Sequence, residues 1–92
     1  MRLIDFKLST VDLDRQIPLY WEPDTGLQPI LDLRWQTDQL LLVPSQTGTP
    51  LTLDQFFART RQLNGQAPLL IGTTPVAPLF GYRLSTQRLL LG

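Results

Sequence analysis

Apolar and charged side chains alternate from the start of the chain. In RLIDFKL (2–8), Ile4, Phe6 and Leu8 face one way and Asp5 and Lys7 the other. A period of two predicts a half-buried strand. STVDLDRQIPLYW follows without a clean period. Ser9 or Thr10 can cap one helical turn there, and Pro18 ends it. EPDTG (22–26) predicts a turn, with a proline to set φ, Asp24 to bond its own backbone and Gly26 to take positive φ. In 28–43, Leu31, Leu33 and Trp35 alternate with Asp32 and Arg34, and a continuous apolar run follows at 40–43. That pattern predicts a hairpin turning at 36–38, its second strand covered on both faces. PSQTGTP (44–50) predicts a loop.

The pattern changes at Thr52. Thr52 and Gln55 have the spacing of a capping box, and Asp54 stands in the first turn, where the helix dipole favours an acid. Leu53, Phe56, Phe57 and Leu63 form one stripe, opposite Arg59, Arg61 and Gln62. Asn64-Gly65 closes a helix expected over 52–63. Three short strands follow, at 68–72, 79–84 and 87–91, with Ser85-Thr86 as the last tight connection. Strands outnumber helices and do not alternate with them. The expected fold class is α+β, a small and mostly antiparallel β roll or barrel-like sheet with one α-helix at about 52–63. Residues 1–92 read as one small domain, and no internal repeat, low-complexity tract or internal boundary stands out.

Composition narrows the function. Eight basic and eight acidic residues balance, so no long-range field draws nucleic acid or an anionic membrane. Charged residues are only 17% of the chain, against about 25% in ordinary domains, so the chain must either pack very well or hide surface against a partner. Cysteine and histidine are both absent, removing thiolate chemistry, the commonest general base and the commonest metal ligand. Asp12 and Asp14 flank Leu13 on what reads as a solvated face, so no metal and no cofactor is expected. The apolar runs are far too short to span a bilayer, and MRLIDFKLST has no long apolar stretch of a signal peptide. A cytoplasmic location without membrane insertion is the expectation.

GTTPVAPLFGYR (72–83) places Pro75 and Pro78 three apart, as polyproline II ligands do, but Arg83 is distant from them. The segment reads as a stiff loop between strands, and it lacks the lysine and spacing of a phosphate loop. Tyr20-Trp21 lies between Pro18 and Pro23. Neighbouring side chains on an extended chain diverge, so one of the two is expected near the surface. Aromatic residues and arginine anchor protein contacts. The expected contact residues are therefore Tyr20, Trp21, Phe80, Tyr82 and Arg83. The expected function is a non-enzymatic protein-binding module, an accessory or assembly subunit of a larger complex or a homo-oligomer, whose partner is another protein or a second copy.

Two other classes compete. Asp24-Thr25-Gly26 resembles the active-site triplet of retroviral-type aspartic proteases, and 72–76 with 79–81 resembles the C-terminal part of that family. The resemblance implies a homodimer that pairs two copies of Asp24 around a shared proton. Glu22 and Pro23 precede the triplet where that family carries apolar residues, and the helix at 52–63 stands where its flap belongs. The other class is a binder of single-stranded nucleic acid, through Arg34-Trp35 and Tyr82-Arg83. The balanced charge argues against it.

Overall fold

The first apolar positions wind up instead of extending. In the computed structural model, which describes residues Met1–Gly92, Leu3–Thr10 form helix α1, not the strand expected at 2–8. Its buried residues are Leu3, Phe6 and Thr10, a helical spacing, while Leu8 of the alternating set is 67% exposed. Arg2 provides no side-chain cap. The free amides at the helix start find partners elsewhere: Leu3 N–H donates to the Ala67 carbonyl (2.8 Å) and Ile4 N–H to that of Gly65 (2.9 Å). The cap is tertiary, which is why a local pattern did not reveal it.

After α1 come β1 (Leu19–Trp21), β2 (Gln28–Gln36) and β3 (Gln39–Pro44). Then α2 (Leu53–Arg59) leads to β4 (Leu69–Ile71), β5 (Ala77–Pro78), β6 (Tyr82–Ser85) and β7 (Arg88–Leu91). Helix α2 has the expected capping box, with Thr52 Oγ1 accepting from Gln55 N–H (3.2 Å) and Gln55 Oε1 from Thr52 N–H (3.0 Å). It ends at Arg59, short of the expected 63. Asn64 instead accepts from Gln66 N–H (2.9 Å) in the following turn.

The order of elements is helix, strand, hairpin, and then the same again. Much of the bonding recurs from one half to the other, an internal repeat that corrects the expectation of none. Leu3, Phe6, Thr10, Leu13, Gln16, Pro18 and Leu19 recur as Leu53, Phe56, Thr60, Leu63, Gln66, Pro68 and Leu69. Thr10 Oγ1 donates to the Phe6 carbonyl (2.7 Å), as Thr60 Oγ1 does to that of Phe56 (2.9 Å). Leu3 N–H bonds Ala67, and Leu53 N–H bonds Ile17 (2.9 Å). The hairpin turns also match: Thr37-Asp38 and Thr86-Gln87 all have positive φ. The last turn thus falls at 86–87, one residue beyond the expected Ser85-Thr86. The seven identities keep one spacing of 50 residues and so were legible in the sequence; the spacing falls to 49 only beyond β4, because the β4–β5 connection is one residue shorter than the β1–β2 connection.

The halves exchange strands. The sheet order is β5-β4-β3-β2-β1-β7-β6. β1 pairs antiparallel with β2 of its own half and parallel with β7 of the other. β4 likewise pairs antiparallel with β5 and parallel with β3. Only these exchanged contacts are parallel, so the sheet is mostly antiparallel, as expected. It curls until its first and last strands, β5 and β6, are successive pieces of one chain joined by residues 79–81. β2, their counterpart, runs through the matching position with a register irregularity between Ile30 and Asp32. The result is a barrel-like α+β fold. The core holds Phe6, Phe56 and inward residues of β1, β2, β3, β4 and β7, including Leu19, Ile30, Leu42, Leu69 and Leu91. Both helices contribute to that cluster.

Candidate functional site

β1 separates the two neighbouring aromatics, as the extended backbone requires. Leu19 is fully buried, and Trp21 packs half-buried against the same core. Tyr20 lies on the opposite, outer face, half-buried, with the Arg88 guanidinium carbon 5.0 Å from its ring centroid. The register then runs Tyr20–Leu90–Arg83 across β1, β7 and β6. Leu90 is nearly covered at 4% exposure even though it sits on the outer face between the two.

Tyr82 points inward. Its ring meets Phe6 edge-on at 5.6 Å, and its hydroxyl donates to the Ser9 carbonyl (3.2 Å). The hydroxyl stitches β6 to the end of α1 and leaves little of the ring free to anchor a partner. Arg83 points outward and holds Glu22 with two hydrogen bonds, the one from Nε to Oε1 being 3.0 Å. These bonds, reinforced by the opposite charge, hold the Glu22 carboxyl below the usual carboxylate range and raise the Arg83 guanidinium further.

Phe80 differs from all of these. It lies in the 79–81 connection between β5 and β6, and 79% of its surface is exposed. Its neighbour Leu79 is fully in the core. Phe80, Gly81, Arg83, Glu22, Leu90 and Gly92 border an open depression of about 340 Å³. Of the five contact residues expected from sequence, Phe80, Tyr82 and Arg83 come together here. Tyr20 joins them one strand away, and Trp21 faces the core instead.

Phe80 has a counterpart in the first half. The repeat matches Phe80 to Leu31, since Leu79 corresponds to Ile30 and Tyr82 to Leu33. Leu31 is half-buried under the linker that joins the two halves. Gly48 of that linker lies so close that a Cβ there would meet Leu31 Cδ1 at 2.8 Å. Sequence reasoning singled out Phe80 but missed Leu31 and Gly48, because their relation shows only when the halves are superposed.

Comparison of the chain with protein families, with curated proteins and with solved structures finds no match to any.

The other sequence candidates sit in plainer settings. Asp24 is exposed in a turn closed by Gly26 N–H donating to the Pro23 carbonyl (3.2 Å), with Gly26 at φ +118°. Asp14 accepts from Gln16 N–H (2.9 Å), the same turn that Asn64 makes in the second half. Pro75 lies in the β4–β5 loop but Pro78 is in β5 and Tyr82-Arg83 begin β6, so 72–83 is not the single loop between strands that was expected. Trp35, beside Arg34 on β2, is 41% exposed. No helix is long and apolar enough to cross a membrane.

Proposed function

We propose that this chain is a non-enzymatic protein-binding module, an accessory or assembly subunit that engages another protein through the face around Phe80. The observation that carries the reading is Phe80 itself, 79% exposed in the connection between β5 and β6 beside the buried Leu79. An aromatic ring set between two strands and left in water is what protein contacts use as an anchor. Arg83 and Leu90 beside it supply a polar rim and an apolar floor. The low share of charged residues fits a chain that hides part of its surface against a partner.

The test is affinity capture from cells that make the protein, with wild type beside Phe80→Asp and Trp35→Asp. The reading expects a retained protein that Phe80→Asp loses and Trp35→Asp keeps, with all three variants equally folded by circular dichroism. Retention of the same proteins by wild type and Phe80→Asp, or of none by either, overturns it.

A further inference from the structure

We infer that the cavity between the 13–18 turn and the β6–β7 hairpin binds a small aromatic molecule of indole size that carries no negative charge. The cavity shares no lining residue with the depression beside Phe80, so it stands or falls separately from the protein-binding reading.

The cavity spans about 520 Å³, within the roughly 300–1,000 Å³ of small-molecule sites. Leu13, Ile17 and Leu84 give it apolar walls, and Gln16, Ser85 and Gln87 set uncharged polar groups around them. Ile17 belongs to the core cluster, so packing holds that wall in place. Apolar walls with a few polar groups to orient the ligand are what small-molecule sites present.

The repeat shows what fits. β7 and β3 meet matching prolines in the same way: Leu89 N–H donates to the Pro18 carbonyl (2.9 Å), and Leu40 N–H to that of Pro68 (3.1 Å). Opposite those two leucines, on the paired antiparallel strands, stand Leu84 and Trp35. β2 therefore carries an indole where β6 carries a leucine. Trp35 is 41% exposed, so more than half of its surface is covered, and it lines no cavity. Gln66, the counterpart of Gln16, is also engaged there, accepting from Arg2 Nη1. Thr52 stands in the place of Arg2, and its hydroxyl serves the capping box of α2. Gln16 thus keeps its side-chain amide for a ligand.

The charge pattern sets the sign. Asp14 is the one ionised residue that lines the cavity. Its Oδ1 accepts from Gln16 N–H (2.9 Å), and the carboxylate is exposed. An anionic ligand meets a like charge with no cation in the lining to offset it, whereas an amine meets an opposite one. In the matching turn the uncharged Asn64 makes the same bond to Gln66 N–H (2.9 Å).

The test is a titration of ¹⁵N-labelled protein with tryptamine, beside indole-3-acetate as its anionic counterpart. A ligand of this size binds on the order of millimolar, so the titrations run to ~5 mM. The expected result is saturable tryptamine shifts at Gln16, Leu84, Ser85 and Thr86, with indole-3-acetate about threefold weaker. Leu84→Trp gives β6 the side chain of β2, and it should abolish the shifts at Gln16 while the spectrum stays dispersed. Asp14→Asn keeps the turn, as Asn64 does, and it should bind the two ligands about equally. Absence of saturable shifts, shifts only elsewhere, or equal binding of the two ligands by wild type overturns the inference. So does a folded Leu84→Trp that binds as wild type does, or a preference that Asp14→Asn leaves unchanged.

Discussion

Phe6 and Phe56 occupy matching positions in the two halves, and their rings meet each other edge-on, centroids 5.0 Å apart and planes at 70°. Both are fully buried. The contact therefore lies where the repeat crosses itself, and it ties α1 to α2.

Truncation of either ring removes the same contact. Phe6→Ala and Phe56→Ala are each expected to lose about 3–5 kcal/mol, a large part of the roughly 5–15 kcal/mol that holds a domain together. Urea unfolding of the two variants checks this. The double variant should lose less than the sum of the singles, because the ring–ring contact is counted once. Strict additivity would show that the rings do not interact.

Gly48 and Gly81 make opposite forecasts. A methyl at Gly48 meets Leu31 and sits on a backbone at φ +126°, while one at Gly81 meets nothing within 4 Å. Gly48→Ala should destabilise by about 1–3 kcal/mol. Gly81→Ala should be neutral or stabilise by up to about 1 kcal/mol, since alanine narrows the unfolded ensemble. Thermal unfolding of the two variants side by side separates these outcomes.

The hairpin tips hold Thr37 (φ 53°), Asp38 (59°), Thr86 (49°) and Gln87 (61°) in the left-handed region. Two consecutive positive φ values make the turn type that favours Asn-Gly, and β-branched threonine suits it poorly. Replacing Thr86-Gln87 by Asn-Gly should stabilise by about 1 kcal/mol. A loss of stability in urea unfolding would mean that the turn is of another type.

Two exposed ion pairs give a weak acid dependence. Hydrogen bonds from Arg83 lower the Glu22 pKa, and those from Arg2 lower that of Asp5. Each carboxyl binds its proton less readily when folded. Its contribution is full above the ordinary carboxylate range and drains away as pH falls through the lowered folded value. Solvent reaches both pairs, so the effect is small. The melting temperature of Asp5→Asn/Glu22→Gln should fall less steeply than that of wild type between about pH 6 and about pH 3. Parallel profiles would sink the assignment.

Several elements were legible from short stretches alone. The capping box of α2 was, because Thr52 and Gln55 bond each other's backbone three residues apart. The 28–44 hairpin was too, because alternation on one strand and the apolar run on the other are properties of neighbours. Phe80 was picked out as an aromatic among glycines and prolines. Its exposure was not legible, because that depends on which residue of the 79–81 connection takes the core position, and Leu79 does.

The amino-acid order alone determined the α+β class, the capped second helix, the hairpins and an aromatic candidate near the end of the chain. Only the tertiary structure decided that residues 3–10 wind into a helix, since the carbonyls of Gly65 and Ala67 that cap it arrive from the other half. It alone also decided that the two halves exchange strands, and that Leu79 is buried while its neighbour Phe80 is exposed. The physical reason is common to all three. Local bonds between residues a few positions apart leave a periodic trace along the chain, whereas caps and covers supplied from the other half leave none.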